Sequence, residues 1–162
     1  RTIKNWISLM EKTYAVFTIR SYSKKISKAI VKAPKVYFYD NGEVDGDQGA
    51  RFENLVANHL LKKINFLEDS TGDTYELNYL RNRNGHEVDF LIVKNKRPHL
   101  LIEAKVSRTE VSPDLFYYMK ALKLERAIQL VLEPVKKKTL NGVTVWPAFD
   151  WLSKKLEDDF TS

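Results

Sequence analysis

Apolar positions along the chain fall into two periodicities, and their order outlines a fold. In residues 3–12, Ile3, Trp6, Ile7 and Met10 recur at steps of three and four, which predicts an amphipathic helix. In residues 14–19, Ala15, Phe17 and Ile19 alternate with Val16 and Thr18, which predicts a strand. Residues 36–39 read as a second strand, stopped by Asp40-Asn41-Gly42. A helix is predicted over residues 48–63, with Phe52, Leu55, Val56, His59, Leu60 and Ile64 on one stripe. A polar loop around residues 69–73 follows. Three strands are then expected at 75–80, 87–93 and 99–106. Asn84-Gly85 makes a hairpin turn between the first two, and Lys96-Arg97-Pro98 separates the second from the third. Ser112 and Pro113 open a helix over 114–124. A fully apolar strand at 127–132, an Asn141-Gly142 turn, a strand at 143–146 and a closing helix at 149–156 complete the chain. From residue 48 the order is helix, three strands, helix, strand, which points to an α/β sandwich with a central mixed sheet flanked by helices.

Charge and composition narrow the choices. The 162 residues fit about one domain, and 43% hydrophobic content is ample for a packed core. The formal net charge of +6 favours polyanionic partners such as nucleic acid. The absence of cysteine excludes disulfides, a cysteine nucleophile and thiolate zinc. No apolar run approaches the roughly 18–20 residues of a membrane span, and no signal peptide is visible. A cytoplasmic protein with no membrane partner is the expectation. The chain opens on Arg1 rather than Met, as expected of a piece of a longer protein. Lys24, Lys25, Lys28 and Lys32 form one basic stretch, and Lys136-Lys137-Lys138 a second charge run. The acidic segment 40–49 misses the calcium-loop template, because Gly42 or Gly49 falls where a ligand is needed, and it reads as a flexible solvated linker.

Acids in apolar strands are the informative anomaly. Glu87, Asp89, Leu91 and Val93 are expected on one face of the second strand, and Leu101, Glu103 and Lys105 on one face of the third. A buried carboxylate costs several kcal/mol unless compensated. A salt bridge would compensate it, and so would a divalent metal. Glu53 adds a third acid at the edge of its helix's buried stripe, where it can look inward at the sheet; a solvated acid near the helix N-terminus is the plainer use. Three carboxylates against one lysine leave a negative surplus that a divalent cation would balance.

An inward helix Glu, a strand Asp and, fourteen residues on, Glu103-Ala104-Lys105 resemble the arrangement of the PD-(D/E)XK phosphodiesterases. The series Tyr37-Phe38-Tyr39-Asp40-Asn41-Gly42, Phe52-Glu53-Asn54-Leu55-Val56, Tyr79-Leu80-Arg81, Glu87-Val88-Asp89-Phe90 and Ile102-Glu103-Ala104-Lys105 is more specific. It resembles the C-terminal domain of a large group of prokaryotic AAA+ ATPases, a domain of unknown function with a PD-(D/E)XK-like, restriction-endonuclease-like fold. Leu80 stands where an aromatic residue is more typical, and residues 43–47 are more polar than usual for that group.

That resemblance implies several expectations. Residues 1–39 would be the end of a winged-helix or linker segment, and residues 40–162 the nuclease-like domain. An ATPase module would precede them in the parent chain. No G-x-x-x-x-G-K-[ST] loop occurs here, so ATP would bind only in that N-terminal part. The function implied is Mg-dependent hydrolysis of nucleic-acid phosphodiesters; the alternative is a catalytically silent DNA- or protein-binding module of the ATPase. Asp89, Glu103 and the Ala104 carbonyl would ligate Mg²⁺ or Mn²⁺, and Glu53 would hold a metal-bound water or a second ion. Lys105 would either activate the attacking water or stabilise charge on the phosphate. Arg81, Arg83, Lys94 and Lys96 could contact phosphates, or simply solvate the surface. Tyr117 or Tyr118 could stack on bases or pack in the core. His59 reads as a packed side chain, while His86 and His99 give no constellation. A homo-oligomer stays open.

Overall fold

Helix formation in the middle of the chain begins with a side-chain cap. In the computed structural model, which describes residues 2–22, 33–107 and 110–154, Asp47 accepts from the Ala50 N–H and starts α2 (Gln48–Thr71). The apolar stripe continues through Ile64 and Leu67, so the helix runs eight residues past the expected end at 63. Gly72, at φ 74°, supplies the left-handed residue that stops it. Ser70 and Thr71, expected in a loop, form the last turn and bond back to the Leu67 carbonyl. The segment before α2 is exposed at most positions, as expected of a solvated linker, but it is not structureless. Asn41–Glu43 forms a 3-10 turn capped by the Asp40 side chain, and Val44 is buried.

Around α2 the remaining elements are α1 (Thr2–Lys12), β1 (Val16–Ser21), β2 (Lys35–Phe38), β3 (Tyr75–Arg81), β4 (Glu87–Lys94), β5 (Arg97–Lys105), α3 (Pro113–Leu122), β6 (Ala127–Val131), β7 (Lys138–Leu140), β8 (Val143–Pro147) and α4 (Ala148–Leu152). The eight strands form one mixed sheet in the order β2-β1-β3-β4-β5-β6-β8-β7. β1 runs parallel to β3, β5 to β6 and β6 to β8; the other neighbours are antiparallel. The boundary expected after residue 39 therefore crosses one continuous sheet, because β1 and β2 pair into it.

Each sheet face has its own core. α2 packs Phe52, Val56, Leu60 and Ile64 with Phe90, Ile92, Leu100 and Ile102. α3 packs Leu115 and Tyr118 on the opposite face with Val88, Leu91, Val93 and Leu101. Asn54, buried within α2, accepts from the Phe38 N–H and donates to the Phe38 carbonyl, so it completes the backbone pairing of the edge strand β2.

Three further features differ from the sequence reading. Lys96-Arg97-Pro98 does not separate β4 from β5; Asn95 and Lys96, at φ 48° and 65°, make a two-residue hairpin, and Arg97 and Pro98 already lie in β5. β7 begins at Lys138, the last residue of the lysine run, as an exposed edge strand that no apolar alternation announces. The closing helix ends at Leu152, and residues 155–156 lie outside the described residues, as do Lys24, Lys25, Lys28 and Lys32. Among the described residues no helix is long and apolar enough to cross a membrane.

Candidate active site

A bulge decides where Asp89 points. Along the β3–β4 ladder Asn78 faces Leu91 and Leu80 faces Val88, so two steps on β3 meet three on β4. The extra residue lies at Asp89–Phe90. Strand alternation resets there. Val88, Leu91 and Val93 pack with α3, whereas Phe90 and Ile92 pack with α2. Glu87 and Asp89 thereby turn toward α2 and β2, where both reach Lys35. The expectation that Glu87, Asp89, Leu91 and Val93 share a face fails because it assumes an unbroken strand.

Strand β5 alternates as expected. Leu100 and Ile102 pack with α2, and Leu101 with α3. Glu103 and Lys105 share the Leu101 side, with Lys105 Nζ 2.6 Å from Glu103 Oε1. The last regular β4–β5 pair at this end is Phe90 with Ile102. Beyond it the strands separate, and carboxylates take over the ladder. The Asp89 N–H donates to Glu103 Oε2 at 3.2 Å, and the Ala104 N–H donates to Asp89 Oδ2 at 3.0 Å. Two buried acids thus meet at the split from opposite faces of the sheet.

Lys35 is the residue the sequence reading missed. Its Nζ lies 3.1 Å from Glu53, 3.0 Å from Glu87 and 3.6 Å from Asp89. Burial works against its charge, yet Glu53, Asp89 and Glu87 together hold its pKa above the ordinary value. Tyr37, two residues on and on the same side of β2, donates its hydroxyl to the same Glu53 oxygen at 2.7 Å. Arg81 joins from β3, 3.3 Å from Glu87. The signal lay in the strand itself, since Lys35 and Tyr37 alternate in β2; that β2 lies against α2 is a long-range fact that no local pattern carries.

Burial raises the pKa of both central acids. Asp89 is raised to about 7 by burial, by Glu103 and by Glu53, against the opposing pull of Lys35 and the Ala104 N–H. Glu103 is also raised, by burial above all, although Lys105 and the Asp89 N–H stabilise its charge. Among the described residues no group of three acidic or imidazole side chains could hold a metal ion as placed; Glu53, Glu87 and Asp89 gather around the Lys35 ammonium instead. Mg²⁺ does not require such a group, since it keeps several waters and takes one or two carboxylates. Asp89 and Glu103 are two carboxylates of that kind, each already partnered, Asp89 by Lys35 and the Ala104 N–H and Glu103 by Lys105 and the Asp89 N–H, while Glu53 Oε1 is engaged by Lys35 and Tyr37.

Other sequence candidates scatter. Arg81 lies at the site. Arg83 is exposed in the β3–β4 turn. Lys94 pairs with Asp73, five residues along β4 from Asp89 and so roughly 16 Å away. Lys96 sits in the hairpin beyond it. Tyr118 is buried in the core, and Tyr117 is partly exposed. His59 Nδ1 lies 3.0 Å from the Leu55 carbonyl, a packed arrangement within its own helix. His86, expected to stand alone, has a constellation after all: its Nδ1 lies 2.7 Å from Asp114 Oδ1, and its ring stacks on Tyr117 at 4.2 Å. The carboxylate of Asp114 comes from the first turn of α3, a long-range neighbour that the sequence does not reveal.

Residues 48–151 match the family described as a domain of unknown function, DUF4143. The chain belongs to the DUF4143 family. This domain is typically found at the C-terminus of AAA-type ATPases. Residues 1–44 match a second domain of unknown function, DUF8612. No curated protein and no solved structure matches the chain. Lys35 and Tyr37 come from the DUF8612 segment, and Glu53, Glu87, Asp89, Glu103 and Lys105 from the DUF4143 domain, so the site is assembled from both.

Proposed function

We propose that this domain is a metal-dependent phosphodiesterase of the PD-(D/E)XK type, acting on nucleic acid. The observation that carries the reading is the pair Asp89 and Glu103, two buried carboxylates that meet at a strand split beside two lysines, with pKa values raised chiefly by burial. The order α2-β3-β4-β5-α3-β6, with β5 parallel to β6, supports the same fold assignment. A net charge of +6 suits a polyanionic substrate.

Asp89 and Glu103 would hold Mg²⁺ or Mn²⁺. When bound, that ion supplies positive charge at the phosphate and lowers the pKa of water. Lys105, 2.6 Å from Glu103, is placed to orient the attacking water or to balance charge as it builds on phosphate oxygens. Glu53 acts through Lys35 and Tyr37, which fix it beside Asp89. Arg81 lies close enough to meet a phosphate at the rim. In a parent of the usual family layout, the ATPase module would be the partner that delivers substrate.

A second reading is favoured by one observation: Lys35 and Lys105 between them contact all four of Glu53, Glu87, Asp89 and Glu103. On that reading the acids form a structural ion network in a silent binding module. Nicking of supercoiled plasmid, and cleavage of single-stranded RNA, in Mg²⁺ or Mn²⁺ separate the two. Cleavage by the wild type, abolished in Asp89→Asn and Glu103→Gln and lowered on the order of 100-fold in Lys105→Met, is expected. No cleavage of either substrate, or cleavage that survives Asp89→Asn, favours the silent module.

A further inference from the structure

Three acids and one ammonium group form a closed unit beside the Asp89–Glu103 pair. Lys35 Nζ has three protons to donate, and three carboxylates from α2 and β4 surround it at 3.0–3.6 Å. The ring of Tyr79 lies beneath it, 5.4 Å from the ring centre. Tyr37 adds a second donor to Glu53. The unit therefore draws on β2, β3, β4 and α2, and its cation is already in place. Asp89 divides its oxygens between the two neighbours: Oδ1 faces Lys35, and Oδ2 takes the Ala104 N–H at the strand split.

We propose that Lys35 is a resident cation that occupies the position a second divalent ion would take among Glu53, Glu87 and Asp89. The site then accepts a single divalent ion, on Asp89 and Glu103. An incoming ion at the Lys35 position would have to displace a covalently attached ammonium from all three of its acceptors. A lysine is suited to this, being a compact point charge on a flexible stem. The role expected for Glu53, as ligand to water or to a second ion, passes to Lys35. Because Lys35 lies in the DUF8612 segment, that segment sets the ion count of a site whose acids lie in the DUF4143 domain.

The inference rests on the proposed metal pair, and counting bound ions separates the two. Mn²⁺ is titrated into the 162-residue chain by calorimetry, with free Mn²⁺ counted by electron paramagnetic resonance. The wild type is expected to bind one ion per chain, lost in Asp89→Asn. Lys35→Met is expected to bind two, and Lys35→Arg one. Should Lys35→Met not fold, Lys35→Gln, which removes the charge but keeps a donor, carries the same expectation. One ion in both the wild type and Lys35→Met overturns the resident-cation role and leaves the metal pair standing. Two ions in the wild type overturn it as well. No ion in the wild type but one in Lys35→Met overturns the metal pair and upholds the role of Lys35. No ion in either overturns both.

Discussion

Replacing Asp89 by asparagine tests whether the site stores electrostatic stress. Asp89 moves from an ordinary 3.8 to about 7 in the folded protein. Between those values the native state holds a proton that the unfolded chain has released, so stability falls as pH rises across the interval. The contribution of that proton is complete below the unfolded value and is lost by the time pH passes the folded one. A shift of about three units corresponds to roughly 4 kcal/mol, of which about 2–3 kcal/mol is lost between about pH 5 and about pH 8. The side-chain amide of Asp89→Asn does not titrate, and its oxygen can still accept the Ala104 N–H. The stability difference between Asp89→Asn and the wild type should therefore move by about 2–3 kcal/mol in favour of the variant over that interval. In Tm this is roughly 5–10 °C for a chain of this size. The assay is urea and thermal unfolding of both proteins in chelator. Glu103 titrates in the same cluster, so the slope belongs to the pair. A difference that stays constant with pH, or one that moves the other way, would refute the stress.

Two further predictions concern the frame that holds the site. Asn54→Ala leaves the Phe38 N–H without its side-chain acceptor, while Asn58 still donates to the Phe38 carbonyl, and should cost about 1–3 kcal/mol in urea unfolding; a loss under about 0.5 kcal/mol would mean that β2 does not depend on Asn54. Gly142 sits at φ 85° in the β7–β8 turn, and an added Cβ would meet the Glu125 carbonyl oxygen at 2.3 Å. Gly142→Ala should lower stability by at least about 2 kcal/mol, and an unchanged Tm would show that the turn relaxes freely.

Local pattern carries most of the architecture and only part of the site. Stripes such as Phe52-Val56-Leu60 and the apolar runs of β4, β5 and β6 stand out because burial dictates their period. The end of α2 and the start of β5 do not, since a left-handed Gly72 and the Asn95-Lys96 hairpin, not hydrophobicity, set them. At the site, Asp89, Glu103 and Lys105 are visible as charges in apolar strands. The bulge that turns Asp89 toward α2 has no composition signature, so alternation alone assigns it the wrong face. Lys35 and Tyr37 reach the cluster, and Asp114 reaches His86, through contacts between elements far apart in sequence, which periodicity cannot express.

The central claim is that Asp89 and Glu103 jointly hold a divalent ion. Crystals soaked in Mn²⁺ and measured for anomalous scattering address it directly. A peak within roughly 2–2.5 Å of one oxygen from each carboxylate, with Lys35 still on Glu53 and Glu87, is the expected result. Well-ordered carboxylates with no peak between them, and Lys35 and Lys105 unmoved, would contradict it.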